Sequence, residues 1–212
     1  MLQKAQIIIR TFNRLYPDPK PFLKHKSPFE LLVAVILSAQ CTDERVNKVT
    51  PALFKIANTP EKILKLGKTK LIKYIRSCGF YNQKARTILE ASKIILKNFG
   101  GRLPVTLEDF TKIHGVGRKT ASVVMAQAFK IPTFPVDTHV FRVAHRLGLS
   151  KAKTPDKTDE DLRKIFPKKL WIPLHIQFIS HGRTLCTARA PKCRICPLLK
   201  ICPEGGRSPS PL

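Results

Sequence analysis

Apolar positions in this chain recur at helical spacing and hardly anywhere alternate with polar ones, the pattern of amphipathic helices rather than strands. In NQKARTILEASKIILKNF, Ala85, Ile88, Leu89, Ile95 and Leu96 fall on one helical face. Asn82 is read as opening that helix, and Gly100-Gly101 supplies its stop. FELLVAVILSAQ is apolar nearly all round, which predicts a buried helix rather than one laid on a surface. Ahead of it, Ser27-Pro28-Phe29-Glu30 places an N-cap serine, a proline at the first helical position and a reciprocating Glu, a capping box. Thr59-Pro60 repeats the cap-plus-proline signal, and Thr106 with Asp109 predicts a short helix ending near Ile113. Asp137 precedes the amphipathic THVFR. IPTFPVD carries Pro132 and Pro135, which spoil it as a strand and mark a break between two helical lobes. The predicted class is all-α, with the C-terminal EGGRSPSPL expected as a frayed tail.

Charge narrows the partner. The 212 residues hold 39 Lys+Arg against 14 Asp+Glu, a formal net charge of +25, while the charged fraction, 25%, is ordinary for a folded domain. A chain that is 43% hydrophobic is too apolar for a disordered basic tail, so the imbalance points to a polyanion, nucleic acid before a membrane surface. The longest apolar stretch, Leu31 to Leu37, is far short of the roughly 20 residues that span a bilayer. MLQKAQIIIRTF does not read as a secretory signal, so the cysteines are expected in a reducing cytosol, where disulfides do not persist. Of the six, Cys41 and Cys78 stand alone and read as ordinary buried thiols. The other four cluster as Cys186-x6-Cys193-x2-Cys196-x5-Cys202. Four thiols at that spacing suggest a metal site, and on chemistry alone zinc and a cubane iron–sulfur cluster both accept them.

The most informative segment runs from Leu107 to Leu149. There His114-Gly115-Val116-Gly117 turns between a short helix and RKTASVVMAQAF. Glycines one residue apart permit a tight turn and expose backbone amides at a helix start, where the dipole favours an anion. Arg118 and Lys119 add positive charge there, making a ready phosphate site; a plain turn between helices uses glycine too. Lys119 falls in the first helical turn, where the dipole disfavours its positive charge and suits a nucleophilic amine. The bland alternative is a solvated surface lysine. Asp137 has N-cap as its bland role, yet no other acid lies between Asp109 and Asp156. A carboxylate can move protons or stabilise a developing cation.

HGVGRKTASVV followed by VDTHVFRVAHRLGL resembles the helix-hairpin-helix and Gly/Pro-Asp region of the endonuclease III family of DNA glycosylases. The similarity extends from SPFELLVAVILSAQCTDERVNK through GFYNQKA to the cysteine cluster. The resemblance implies a two-lobed helix-hairpin-helix glycosylase fold. One lobe would be a helical barrel over residues 21–133; the other would join 1–20 to 134–212 and carry an iron–sulfur loop at 186–202. It implies that Lys119 attacks the anomeric carbon of the sugar and expels the base, with Asp137 as the catalytic carboxylate, and that β-elimination then cleaves the strand 3′ to the abasic site. DNA would lie between the lobes, where Lys119 meets Asp137. The implied substrates are oxidised pyrimidines in duplex DNA and abasic sites.

The 6-2-5 cysteine spacing is similar to that family's cluster loop, which implies a structural 4Fe–4S cluster on Cys186, Cys193, Cys196 and Cys202. Lys192, Arg194 and Lys200 would then dock on phosphates, as would the Gly115, Val116, Gly117 and Arg118 turn. Gln40, from the LSAQ element, is implied to fill the space a flipped base vacates. Phe80 stands where the family commonly has a leucine wedge, and an aromatic there can stack. Relatives often carry Ala or Thr in place of Cys41. Two rival readings remain: a monofunctional mismatch glycosylase, whose relatives typically lack a lysine at position 119, and a non-catalytic DNA-binding protein with a zinc staple. The expected state is a monomer, cytoplasmic and nucleoid-associated, with no membrane partner.

Overall fold

The computed structural model describes residues 2–205; the tail beyond Gly205 lies outside the described residues. The helices run α1 (Leu2–Leu15), α2 (Pro28–Ser38), α3 (Asp43–Ile56), α4 (Pro60–Ile75), α5 (Tyr81–Phe99), α6 (Leu107–Thr111), α7 (Arg118–Ala128), α8 (Thr138–Arg146), α9 (Pro155–Ile165) and α10 (Trp171–Thr184). No strand occurs among the described residues, and no helix there is long and apolar enough to cross a membrane. The chain divides into two compact units, Pro21–Ile131 and Met1–Lys20 with Pro132–Leu212.

In the unit Pro21–Ile131, α2 is the hub. Its residues from Phe29 to Leu37 are buried apart from half-buried Val35, and it packs against α3, α5 and α7. Fully buried Leu31, Leu32 and Leu37 each contribute roughly 1.5–3 kcal/mol of transfer free energy. Its start follows the predicted box with one change. Glu30 N–H donates to the Ser27 hydroxyl, but the Glu30 carboxylate accepts from Lys26 N at 2.6 Å rather than from the cap residue's own amide. Thr59 caps α4, and Thr106 caps α6, which ends at Thr111 rather than Ile113.

The start of α5 departs from the sequence reading. Asn82 is not its cap; the helix begins at Tyr81, and the N-cap is Phe80, in the left-handed conformation with no capping side chain. Lys84 N–H donates to Phe80 O at 3.0 Å and closes the first turn. At the other end Gly100 is left-handed at φ 58°, and Gly101 N–H reaches back to Ile95 O at 3.1 Å, the predicted glycine stop.

The second unit packs α10 against α8 and α1, with α9 on α8. Its core is aromatic: Phe12 and Phe134 meet Phe178 edge-on at 5.0 and 5.8 Å, and Phe134 stacks on Phe166 at 6.2 Å. Trp171 belongs to this packing, its indole N–H donating to Phe166 O and its ring lying under the Arg163 guanidinium.

Candidate active site

The hairpin before α7 is built by two glycines with different duties. Gly115 sits at φ 75°, and a Cβ there would lie 2.3 Å from Thr87 Cγ2, so both the backbone conformation and the neighbour exclude a side chain. Gly117 has an ordinary φ of −81°, and a Cβ there would meet nothing within 4 Å. Between them Val116 is buried and its N–H donates to Ile113 O at 3.0 Å, anchoring the turn to the unit's core. Side-chain oxygens cap α2, α3, α4, α6, α8 and α9, from Ser27, Thr42, Thr59, Thr106, Asp137 and Thr154. Gly117 leaves α7 without one. No side chain of the N-cap residue takes up its first-turn amides, which stand at the positive end of the helix dipole. Arg118 and Lys119 are exposed in that same turn.

Gln40 and Phe80 lie in the same unit, both exposed, Phe80 to 67%. They share an uncommon feature that the sequence reading missed. Both are non-glycine residues in left-handed backbone, at φ 50° and 47°. Cys78 is fully buried beside them and Cys41 half-buried. Burial first, then the Cys41 thiol, pushes the Cys78 thiol up to about 11, so Cys78 reads as an unreactive packing group, while Cys41 is less buried than the sequence suggests.

Asp137 belongs to the other unit and does serve as the N-cap of α8. Its Oδ1 accepts from His139 N at 2.9 Å and Val140 N at 2.8 Å, so Oδ2 takes no part in the cap. Burial lowers the neighbouring His139 pKa, with the Asp137 charge opposing that shift. Lys119, in the first unit, and Asp137, in the second, are thus each fixed by their own local helix start.

The far end of α8 holds the cysteine loop. Arg142 donates to Cys186 O and Gly182 O at 3.1 and 2.7 Å. Arg146 donates to Thr187 O at 2.7 Å and Ala188 O at 2.9 Å, and its Nη1 lies 3.5 Å from Cys186 Sγ. The Cys202 thiol donates back to Arg146 O at 3.2 Å. These arginines were missed from sequence; their only signal is the one-turn spacing within FRVAHR, which places both on one face. Cys186, Cys193, Cys196 and Cys202 line a cavity of about 180 Å³, with His181 Nε2 3.8 Å from Cys196 Sγ. All four are free thiols. Burial raises the Cys196 thiol above its ordinary value, and the charges of the other three cysteines push it the same way. Lys192, Arg194 and Lys200 are exposed on this loop.

A glycine hairpin between two helices, with a lysine and an aspartate at successive helix starts, defines a class. Residues 33–168 match the HhH-GPD superfamily of base excision DNA repair proteins. The chain is 47% identical to the endonuclease III of Rickettsia conorii, covering 94% of this chain and 96% of that protein. The solved structure of a trapped endonuclease III–DNA covalent intermediate, an estranged-adenine complex, superposes with a TM-score of 0.91 at 42% identity, covering 98% of this chain and 99% of the other. A thermostable thymine-DNA glycosylase is similar at TM-score 0.87 and 25% identity, covering 97% and 98%. This chain belongs to the endonuclease III family.

Proposed function

We propose that the protein is a base excision repair glycosylase and abasic-site lyase, acting as a monomer on duplex DNA in the cytoplasm and nucleoid. Its substrates would be oxidised pyrimidines and abasic sites, and Lys119 would be its nucleophile. The observation that carries this reading is an exposed lysine in the first turn of the uncapped α7, in a chain of the endonuclease III family. The covalent endonuclease III–DNA intermediate supports it as well. The mismatch-glycosylase reading is weaker, because similarity to the thymine-DNA glycosylase is lower, 25% against 42% identity.

The chemistry follows from the groups. The unprotonated Lys119 amine forms a bond to C1′ while the C1′–N bond to the base breaks, and the base leaves with that electron pair. The sugar ring opens to an iminium between C1′ and Lys119 Nζ. This electron sink acidifies the C2′ proton, whose removal expels the 3′ phosphate by β-elimination. Water then hydrolyses the imine and frees the lysine. Asp137 stabilises the cationic sugar with its carboxylate and passes protons through it. The Gly115–Gly117 turn and the Arg118 side chain hold a backbone phosphate, and Lys192 and Arg194 hold others. Gln40 and Phe80 fill the gap left by the flipped nucleotide.

Cys186, Cys193, Cys196 and Cys202 would hold a 4Fe–4S cluster. All four thiols line one cavity of about 180 Å³, and four thiolates with no other ligand type suit a cluster of this kind; membership of the endonuclease III family supports it over a lone zinc. The positive iron core would relieve the mutual repulsion of the four thiolates. With all sites ligated it would act as a cross-link that fixes the basic loop and, through Arg142 and Arg146, α8.

Borohydride reduction on abasic-site duplex DNA tests the proposal. The wild-type protein should form a covalent adduct, and Lys119→Gln should form none. Equal trapping by both would remove Lys119 from the mechanism.

A further inference from the structure

Left-handed backbone at a residue with a side chain persists only where the surroundings dictate it. Gln40 and Phe80 are two such residues, on different loops of the unit Pro21–Ile131. One side chain ties both loops. Lys84 is only 5% exposed, and its Nζ donates to Leu37 O at 2.8 Å and also to Cys78 O. Leu37 O lies in the last turn of α2, three residues before Gln40; Cys78 O ends the short turn Arg76–Cys78, two residues before Phe80. The Lys84 backbone amide donates to Phe80 O as well, and Cys41 N–H closes the turn around Gln40 onto Ser38 O at 3.1 Å.

The position is a costly one for a cation. Lys84 sits in the first turn of α5, whose dipole presents its positive end there. Burial lowers its pKa. A methionine of the same length would fill the same space without these penalties, but it would leave two carbonyls with no donor. An ammonium offers three donors from one atom, which lets it join acceptors on separate loops. Among the unit's many lysines, this one is spent inside.

We propose that Lys84 is the positioning residue that locks the Gln40 and Phe80 loops together in the conformation that presents both side chains to a gap in duplex DNA. The proposal rests on the reading of Gln40 and Phe80 given above. Lys84 itself touches neither DNA nor the reacting sugar; it acts through the two carbonyls.

The test compares excision of an oxidised pyrimidine from duplex DNA with borohydride trapping on a single-stranded abasic oligonucleotide, where there is no duplex gap to fill. In Lys84→Met, duplex excision should fall by roughly ten- to a hundredfold, the size of a sub-ångström to one-ångström misplacement, and single-strand trapping should persist. Added to Gln40→Ala/Phe80→Ala, Lys84→Met should cause little further loss. Amide exchange should quicken at Cys41 and Lys84 while α10 stays protected.

A parallel loss of both activities, or full extra loss in the triple variant, would make Lys84 a plain structural residue and overturn the proposal. Wild-type duplex excision in Lys84→Met would overturn it too. If instead Gln40→Ala and Phe80→Ala leave duplex excision intact, the reading of those two residues fails. Should Lys84→Met not fold, Lys84→Arg decides. In that variant loop protection and duplex excision should be kept or lost together, and one without the other sinks the idea.

Discussion

The hairpin before α7 and the paired loops at Gln40 and Phe80 both present exposed groups from left-handed backbone, yet they are built differently. At Gly115 the chain reaches φ 75° with no Cβ, and what it exposes is backbone: amides at an uncapped helix start. At Gln40 and Phe80 the chain accepts φ 50° and 47° with full side chains, and what it exposes is those side chains. The first conformation costs little, because glycine enters it freely. The second is strained and has an external lock, the buried Lys84 ammonium on Leu37 O and Cys78 O. Backbone amides suit phosphates, which are alike at every nucleotide, whereas side chains suit the space among bases. The means of holding each loop thus matches what it is proposed to touch.

The hardest test of this contrast is Gly115→Ala. Left-handed strain and the Thr87 contact together should lower stability by about 2–4 kcal/mol, read as a drop in melting temperature. Thr87→Ser, which removes the clashing methyl, should return about 1 kcal/mol of that in a double-mutant cycle. Full stability in the single variant would mean that the hairpin is not glycine-dependent. Next in size is Phe80→Gly. It removes an exposed ring and relieves the strain, so stability should rise by up to about 1 kcal/mol while duplex excision falls. A fall in both would show that the Phe80 ring supports the fold and would blunt the contrast. The smallest effect on folding belongs to Gly117→Ala, where open space and an ordinary φ predict a change within about 0.5 kcal/mol. Its effect should appear in DNA affinity instead. A methyl in the path of a phosphate should weaken binding at every salt concentration, while the slope of log affinity against log salt, set by Lys and Arg contacts, stays near the wild-type value. Unchanged affinity would argue that the hairpin amides hold no phosphate.

Several helix starts were legible because their causes are local, although Thr42 and Thr154, which cap α3 and α9, went unread. Ser27-Pro28, Thr59-Pro60, Thr106 and Asp137 each cap the helix that follows, through bonds reaching two or three residues along the chain. Asn82 misled for the same reason: it resembles a cap, but the helix begins one residue earlier, where a left-handed Phe80 closes the turn with its carbonyl. Clustering, a first-turn position and the scarcity of acids made the cysteines, Lys119 and Asp137 visible as candidates, and the family resemblance implied their roles. It left Arg142, Arg146 and Lys84 unmarked, although they hold the cysteine loop and the Gln40 and Phe80 loops in place.

Sequence alone determined what acts within a turn or two of chain: the caps, the glycine that permits φ 75°, the amphipathic faces and the spacing of four thiols. Only the tertiary structure decided which bases among 39 turn inward, and onto what. Lys84 bonds a carbonyl 47 residues away, and Arg146 bonds carbonyls 41 and 42 residues away. Every residue carries the same carbonyl oxygen, so no letter in the sequence marks the one that a distant cation will find.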